Sequence, residues 1–258
     1  MKLNAKKVFL LDMDGTFYLG NTLIPGSLDF IEKLNQMGKS FYFLTNNSSH
    51  RTHHYQAKLS RMGLDVSGDH IITSGEVCGW YLNKVKPRGR IFLLGTPDLE
   101  QDLLRADLIL VQDEPDFVVL GFDKSLSYSK LEKACFFLRQ GIPFYATHPD
   151  INCPTEQGPI PDAGSIISLI VTSTGISPKI LGKPYPDIID YVRFRTRTTR
   201  NDIVMIGDRL YTDIALGKES GITTILVLSG ETRKSDVEGS PYQPDYIFPS
   251  LKEIDFKI

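Results

Sequence analysis

The chain has 258 residues, of which 41% are hydrophobic and 23% charged, and its formal net charge is −2. This composition is typical of a globular protein, and it excludes long disordered segments and a charge-driven interaction with nucleic acid or an anionic membrane. The length fits one large domain or two modest ones, and no apolar run approaches the ~18 residues of a membrane-spanning helix.

The first predicted element is a strand over residues 7–12, because a short apolar run that ends in a carboxylate is typical of a buried parallel strand. A helix follows, with Ser27 as its expected N-cap, and then a second strand over residues 40–44. A second helix is predicted over residues 52–62. This alternation of strand and helix predicts a parallel α/β sheet with right-handed crossovers.

The middle of the chain repeats the alternation with its own elements. Strands are predicted over residues 90–94, 116–120 and 143–147, and apolar residues at helical spacing from Leu131 to Leu138 predict a helix. A loop rich in proline and glycine then spans residues 148–161, and another helix is predicted over residues 163–174. Because this loop is longer than a plain connection, it is a candidate functional segment.

The C-terminal part resumes the first pattern, with strands predicted over residues 202–207 and 223–228. Turn residues flank the middle of the chain, which predicts a second domain inserted into the first and hinges at residues 87–89 and 177–178. The predicted domain ranges are a first part of the core, an inserted domain and a second part of the core, at residues 1–87, 88–177 and 178–258.

Polar residues follow predicted strands in several places, at residues 12–16, 45–47, 182–184 and 207–213. Each segment alone is weak evidence, because acidic pairs and Thr-Asn-Asn sequences also occur in ordinary turns and helix caps. In open α/β sheets, however, ligands bind at the carboxyl ends of the strands. The segments together supply carboxylates, a hydroxyl, amides and one lysine, an inventory that suits a phosphate with Mg²⁺.

These segments resemble the motifs of the haloacid dehalogenase superfamily of phosphatases. The sequence Asp12-Met13-Asp14-Gly15-Thr16 resembles its first motif, and Thr45, Lys183 and Asp208 with Asp213 match the second, third and fourth. Residues 45–47, 182–186 and 146–166 are similar to NagD-type and p-nitrophenylphosphatase-type members. The resemblance covers essentially the whole chain, and it implies a Rossmann-like, doubly wound parallel sheet as the core, with a large inserted α/β cap domain.

The resemblance also implies the chemistry of the acidic residues. Asp12 is expected to be the nucleophile, which attacks phosphorus to give an aspartyl-phosphate. Asp14 is expected to protonate the leaving group and then to activate water, while its main-chain carbonyl binds the metal. The expected metal ligands are thus Asp12, Asp14 and Asp208, with Asp213 as a partner that orients ligands or metal-bound water. The implied cofactor is Mg²⁺.

The remaining predicted site residues bind the substrate. The Thr45 hydroxyl and the amides of Asn46 and Asn47 are expected to hold phosphoryl oxygens, and Lys183 to neutralise charge shared by nucleophile and phosphate. The loop at residues 148–161 is expected to face the leaving group and set specificity, with Cys153 in contact with the substrate.

The chain departs from the pattern of its relatives at three places in and beside this loop. Cys153 stands where pyridoxal phosphate phosphatases have a histidine, which argues against pyridoxal phosphate as the substrate. His148 stands where relatives usually have asparagine, and residues 161–164 replace a turn richer in glycine.

The predicted function is Mg²⁺-dependent hydrolysis of small phosphomonoesters, namely sugar phosphates or nucleoside monophosphates. The alternatives are a phosphomutase, a receiver-type signalling protein phosphorylated on aspartate, and a dehalogenase of the same superfamily. The expected partner is a small phosphorylated metabolite, with no nucleic acid and no membrane, and the sequence gives no indication of oligomeric state.

The cysteines indicate a reducing compartment. Cys78, Cys135 and Cys153 are widely spaced and odd in number, so we expect neither a disulfide framework nor a zinc site. Carboxylates interrupt the first apolar run at Asp12 and Asp14, unlike the core of a signal peptide. The predicted location is therefore the cytoplasm.

Overall fold

The computed structural model describes residues 3–155 and 157–257. Within them the chain alternates short strands with helices, as the sequence predicts. The strands are β1 Val8–Leu11, β2 Tyr18–Leu19, β3 Thr22–Leu23, β4 Ser40–Thr45, β5 Ile71–Thr73, β6 Arg90–Leu94, β7 Ile109–Leu110, β8 Phe117–Leu120, β9 Phe144–Ala146, β10 Asn152–Cys153, β11 Ile160–Pro161, β12 Lys179–Ile180, β13 Ile203–Gly207, β14 Thr223–Val227 and β15 Tyr246–Phe248.

The α-helices are α1 Ser27–Gln36, α2 Thr52–Arg61, α3 Ser74–Val85, α4 Pro97–Arg105, α5 Tyr128–Arg139, α6 Ala163–Thr174, α7 Asp187–Thr196, α8 Ala215–Ser220 and α9 Lys234–Glu238. Short 3₁₀ turns at Leu3–Ala5, Gly68–His70, Arg200–Asp202 and Leu251–Glu253, and a π-helical turn at Leu210–Ile214, complete the described elements.

The chain forms two compact units. The first comprises Met1–Thr45, Thr52–Ile72 and Lys183–Ile258, and the second comprises Asn46–Arg51 and Thr73–Gly182. The ranges predicted from the sequence for an inserted domain, and the hinges at its ends, stay predictions.

The first unit is built on a sheet with the strand order β15-β14-β13-β1-β4-β5. The pairs β1–β13, β1–β4, β13–β14 and β14–β15 are all parallel. Side chains alternate between the two faces along β14: Ile225 and Val227 pack in one hydrophobic cluster, and Leu226 packs in another. Apolar packing on both faces explains why these strands read as continuous hydrophobic runs.

The second unit contains its own parallel sheet, with the order β12-β9-β8-β6-β7. It is covered in the same way: Val118 and Leu120 belong to one cluster, whereas Phe117 and Val119 belong to the other. The predicted α/β class with parallel sheets is confirmed in both units.

The loop predicted over residues 148–161 contains a small antiparallel hairpin, in which β10 pairs with β11. Residue 156 of this loop lies outside the described residues.

The predicted N-cap of α1 is wrong by one residue. Gly26, at φ +87°, occupies the cap position, where it has no side chain that could accept a hydrogen bond. Ser27 is the first helical residue. The Ser27 hydroxyl donates instead to the main-chain oxygen of Phe17, at 2.8 Å. The Ser27 hydroxyl, which the sequence assigned to the helix cap, is therefore hydrogen-bonded to a buried main-chain oxygen ten residues earlier in the chain.

None of Cys78, Cys135 and Cys153, all of which lie within the described residues, forms a disulfide. The cytoplasmic location that rested on them stays a prediction. Among the described residues, no helix has both the length and the apolar character needed to cross a membrane.

Candidate active site

Two predicted site residues meet at the carboxyl end of the first unit's sheet. Asp12 directly follows β1, and Asp208 directly follows β13. The strands are parallel neighbours with Leu11 opposite Ile206, and the Asp12 amide donates to the Ile206 oxygen at 2.9 Å. The register of the sheet therefore brings together two carboxylates that are far apart in sequence.

Lys183 joins this edge through two acidic partners. Its ammonium group donates to Asp12 Oδ1, to Asp213 Oδ1 at 2.7 Å and to the main-chain oxygen of Leu44 at 3.3 Å. The side chains are well enclosed, with exposed fractions of 4% for Lys183, 15% for Asp12 and 0% for Asp213. A buried lysine shared between two acids fixes both carboxylates in position.

The site holds more negative than positive charge. Asp12, Asp208 and Asp213 each offer an oxygen, and these oxygens all lie within 4.8 Å of one another. Burial and the neighbouring acids raise the pKa values of Asp12 and Asp208 above the ordinary range. Burial alone would lower the pKa of Lys183, but Asp12 and Asp213 outweigh it and raise that pKa. A hard divalent cation fits this oxygen cluster, because it would supply the missing positive charge.

The Asp208 carboxylate is held by main-chain groups that pack directly against it. Its Oδ2 accepts from the Glu231 amide at 2.7 Å, and Thr16 Oγ1 lies 3.4 Å from its Oδ1. A Cβ at Gly15 would stand 2.3 Å from this carboxylate, and one at Gly230 would stand 2.0 Å from it. Gly15 also has φ +93°, so both backbone geometry and space require glycine there.

Asp14 lies two residues beyond Asp12 and is half-buried. Its carboxylate accepts a long hydrogen bond from the Gly20 amide, at 3.5 Å, and the residue forms a bridge with Tyr18. The Lys58 ammonium group lies over the Tyr18 ring, 3.8 Å from its centroid. Lys58 therefore brings a positive charge close to Asp14, with which it interacts electrostatically. The described cluster of three carboxylates does not include the Asp14 side chain.

Comparison with known proteins identifies the family. Two sequence profiles of haloacid dehalogenase-like hydrolases match residues 9–109 and 180–254, together more than half of the chain. An acid sugar phosphatase of Staphylococcus saprophyticus is 35% identical over 96% of this chain and 96% of its own. The chain belongs to the haloacid dehalogenase-like hydrolases.

Solved structures of this family share the fold. A 4-nitrophenylphosphatase from Thermotoga maritima superposes with a TM-score of 0.94 at 49% identity, covering 97% of both chains. A glycerol phosphate phosphatase from Mycobacterium tuberculosis, in complex with magnesium, gives a TM-score of 0.90 at 30% identity, covering 98% of this chain and 78% of that one. The predicted fold, family and enzyme class are confirmed: the chain is a phosphatase of the haloacid dehalogenase-like family.

The predicted phosphate-binding residues lie at the end of β4 and directly after it along the chain. Thr45 ends β4 in the first unit and is buried, and the chain enters the second unit at Asn46. The Asn46 amide group donates to both carboxylate oxygens of Asp150, at 3.2 and 3.3 Å. Asn47 Oδ1 accepts from the amide and hydroxyl of Ser49, both at 2.8 Å. The two asparagine side chains therefore order the turn after the strand.

Cys153 lies in β10 of the second unit, half-buried, and its thiol is 3.7 Å from the main-chain oxygen of Pro154. Its predicted contact with a substrate stays a prediction. The neighbouring departure at His148 has a clear structural outcome: its ring is fully buried and lies 2.9 Å from Asp162 Oδ1.

Residues 229–231 are functional candidates that the sequence reasoning missed. They follow β14, and besides the Glu231 contact to Asp208 they include the Ser229 hydroxyl, which donates to the Gly15 oxygen at 2.8 Å. The Glu231 carboxylate holds Arg209 at 3.0 Å and accepts from Tyr211 at 2.8 Å. The signal was available, because Ser-Gly-Glu follows a predicted strand as the four recognised segments do.

Proposed function

We propose that this protein is a Mg²⁺-dependent phosphatase that hydrolyses small phosphomonoesters through an aspartyl-phosphate on Asp12. The observation that carries the proposal is the cluster of three carboxylates, Asp12, Asp208 and Asp213, two of which bind the buried Lys183. An anionic site with this excess of carboxylates needs a cation before it can accept a phosphate dianion.

We assign the metal to the carboxylates of Asp12 and Asp208 and to the main-chain oxygen of Asp14, with Asp213 as an orienting partner. When bound, Mg²⁺ would offset the repulsion between the Asp12 carboxylate and the incoming phosphate. The donor set supports this assignment, because Mg²⁺ prefers carboxylate and carbonyl oxygens. The fit of Asp208 to its cradle of Gly15, Gly230 and the Glu231 amide supports a fixed ligand.

The nucleophilic step belongs to Asp12. A carboxylate oxygen of Asp12 forms a bond to phosphorus while the bond from phosphorus to the leaving oxygen breaks. Asp14 gives its proton to that oxygen, so the leaving group departs as a neutral alcohol. In the second step Asp14 takes a proton from water, the water oxygen bonds to phosphorus, and the bond from phosphorus to the Asp12 oxygen breaks. Inorganic phosphate leaves, and the Asp12 carboxylate is restored.

Lys183 holds the nucleophile in place and balances charge. Its hydrogen bond to Asp12 fixes one carboxylate oxygen, and its second bond, to Asp213, fixes the ammonium group itself. Groups held in this way need little reorganisation when negative charge spreads over the transferred phosphoryl group. We assign the Thr45 hydroxyl and the main-chain amides of Asn46 and Asn47 to the phosphoryl oxygens.

For the substrate, we propose small metabolites with one phosphomonoester, such as sugar phosphates or nucleoside monophosphates. The names of the relatives support a small substrate, since they are an acid sugar phosphatase, a 4-nitrophenylphosphatase and a glycerol phosphate phosphatase. We place selectivity in the loop at residues 148–161, with Cys153 as a candidate contact to the leaving group.

The test is hydrolysis of p-nitrophenyl phosphate by the wild-type protein with Mg²⁺, with EDTA, and by Asp12→Asn. We expect turnover with Mg²⁺, no turnover with EDTA, and loss of turnover in the variant. Activity that survives in Asp12→Asn would overturn the mechanism. Release of inorganic phosphate from a sugar phosphate separates a phosphatase from a phosphomutase, which would return a phosphorylated isomer.

A further inference from the structure

A line of buried polar groups runs through the second unit. His148 Nε2 lies 2.9 Å from Asp162 Oδ1, and its Nδ1 lies 2.8 Å from Thr147 Oγ1. Thr147 Oγ1 is in turn 3.0 Å from Ser48 Oγ, which accepts from the Phe122 amide at 3.0 Å. Because a carboxylate accepts hydrogen bonds, we assign His148 Nε2 as the donor of its hydrogen bond to Asp162 Oδ1.

The line is closed to solvent at every side chain. His148 and Thr147 have 0% exposure, Ser48 has 1% and Asp162 has 4%. Burying such a set of polar groups costs desolvation, and apolar side chains of similar volume often give equal or greater stability. What a satisfied polar network adds is one specific geometry, because each group has a partner only in that arrangement.

The pair His148–Asp162 stands at the base of the predicted specificity loop, since the two residues bracket residues 149–161. Around it, the Asp162 amide donates to the Ile151 oxygen at 2.9 Å, and the Gly164 amide donates to the Asp150 oxygen at 2.8 Å. Asp162 also caps helix α6 through its side chain, which accepts from the Ala163 amide. The first residues of the loop are thereby tied to a helix terminus.

Residues beside His148 also contact the turn after β4. The Asp150 carboxylate accepts from Asn46, and Thr147 contacts Ser48 from that turn. His148 precedes Asp150 by two residues, so we expect a displacement of His148 to shift Asp150, whose carboxylate accepts hydrogen bonds from Asn46. The two departures from the family's usual residues, at 148 and at 161–164, are in this structure the two halves of one contact.

We propose that His148 and Asp162 form a positioning pair that fixes Asp150 and the loop behind it, and thereby sets which phosphomonoesters the enzyme prefers. The inference rests on the proposed phosphatase function. The pair does not touch the reacting atoms, so its loss should change discrimination between substrates more than the chemistry itself.

The experiment compares kcat/KM for p-nitrophenyl phosphate with kcat/KM for the sugar phosphate that the wild-type enzyme prefers in a metabolite panel. The breaking variants are His148→Ala and Asp162→Ala. The conservative variant is Asp162→Asn, whose side-chain oxygen can still accept from His148 and from the Ala163 amide. The matched control is Lys130→Met, which removes the charged partner, at 2.8 Å, of another buried carboxylate of this unit, Asp123.

We expect each breaking variant to lower the ratio of sugar phosphate to p-nitrophenyl phosphate kcat/KM about tenfold or more, mainly through KM. Asp162→Asn should stay within about threefold of wild type, and the loss of stability in Lys130→Met should leave the ratio unchanged. A ratio that stays at the wild-type value in folded breaking variants overturns the inference and leaves the phosphatase assignment intact.

Two other outcomes also decide the matter. If neither breaking variant yields folded protein, the pair only holds the unit together and the inference is wrong. If the wild-type enzyme with Mg²⁺ releases no phosphate from any compound of the panel, the proposed function fails, and the inference fails with it.

Discussion

The carboxylate cluster of the first unit and the polar line of the second unit are both buried, yet they are built on opposite principles. Asp12 and Asp213 share Lys183, and Asp208 lies beside both acids and interacts with Arg209, so the cluster retains an excess of negative charge. In the polar line, by contrast, His148 and Asp162 are hydrogen-bonded to each other. We expect the first arrangement to bind a cation and a substrate, whereas the hydrogen bonds of the second fix one geometry.

The largest expected effect is the loss of the proposed nucleophile. Asp12→Asn keeps the shape of the side chain but removes the charge that we propose attacks phosphorus, so kcat should fall by about 10³-fold or more. Steady-state hydrolysis of p-nitrophenyl phosphate measures this. Asp29→Asn is the matched control, because it makes the same chemical change at an exposed residue of α1 and should leave kcat unchanged.

The excess charge itself can be tested at Asp208. In EDTA, Asp208→Asn should melt at a higher temperature than wild type at neutral pH, because it removes one of three mutually repelling buried carboxylates. Its kcat should nevertheless fall by about 10²-fold or more, since a proposed metal ligand is lost. Thermal melts with and without Mg²⁺ check both statements: wild type should gain stability from Mg²⁺, and the variant should gain little. Equal stabilisation by Mg²⁺ would remove Asp208 from the metal site.

Asp102 and Asp116, two further acids of the second unit, should change the stability of the protein with pH in opposite directions. Burial raises the pKa of Asp102 to about 6 despite the guanidinium of Arg51, so the folded protein holds this proton more tightly than the unfolded chain. The Asp102 carboxylate therefore destabilises the fold increasingly as pH rises from about 4 to about 6. The stability of Asp102→Asn relative to wild type should rise by about 1–3 kcal/mol across that window, as measured by urea unfolding.

Asp116 provides the opposite sign. The Arg90 amide and the Lys86 ammonium group lower its pKa, so its contribution to stability is present near neutral pH and is lost as pH falls through the acidic range. Asp116→Asn should therefore lose stability relative to wild type as pH rises. Parallel pH profiles for the Asp102 and Asp116 variants would show that these environments do not govern their titration.

The last expected effect concerns space rather than charge. A Cβ at Gly164 would stand 2.2 Å from the Pro149 oxygen, so Gly164→Ala must push the start of the loop away from α6. We expect a loss of about 1–3 kcal/mol in the free energy of unfolding. Gly239→Ala is the control, because its Cβ would meet nothing within 4 Å and should change stability by less than about 0.5 kcal/mol. Equal melting temperatures for the two variants would contradict the close approach at Gly164.

Much of the catalytic edge was predictable from the sequence. Continuous apolar runs identify β1 and β13, and the rule that parallel strands end at one edge places Asp12 beside Asp208. Lys183 and Asp213 lie in segments that the sequence analysis singled out after predicted strands, and resemblance to the family motifs gave each its expected role. Their shared hydrogen bonds depend on tertiary packing, which the sequence does not display.

The rest was hidden for identifiable reasons. The contact between His148 and Asp162 joins residues on either side of a long loop, and no periodicity links them. Helix α4 was missed although Pro97 follows an N-cap threonine, Thr96, whose hydroxyl accepts from the Leu99 amide. Ser27 was misassigned because a tertiary acceptor, the Phe17 oxygen, competes for its hydroxyl. Local sequence patterns therefore do not predict contacts between residues far apart in the chain, or which of several acceptors a donor such as the Ser27 hydroxyl will bind.

The proposed mechanism depends above all on which oxygen bonds to the transferred phosphoryl group. A crystal structure grown with Mg²⁺ and beryllium fluoride, which mimics a phosphoryl group on a carboxylate, tests this directly. We expect beryllium bonded to a side-chain oxygen of Asp12, with the Lys183 ammonium group retained beside it. Beryllium on Asp14 or Asp208, or fluoride complexes that leave Asp12 unmodified, would contradict it.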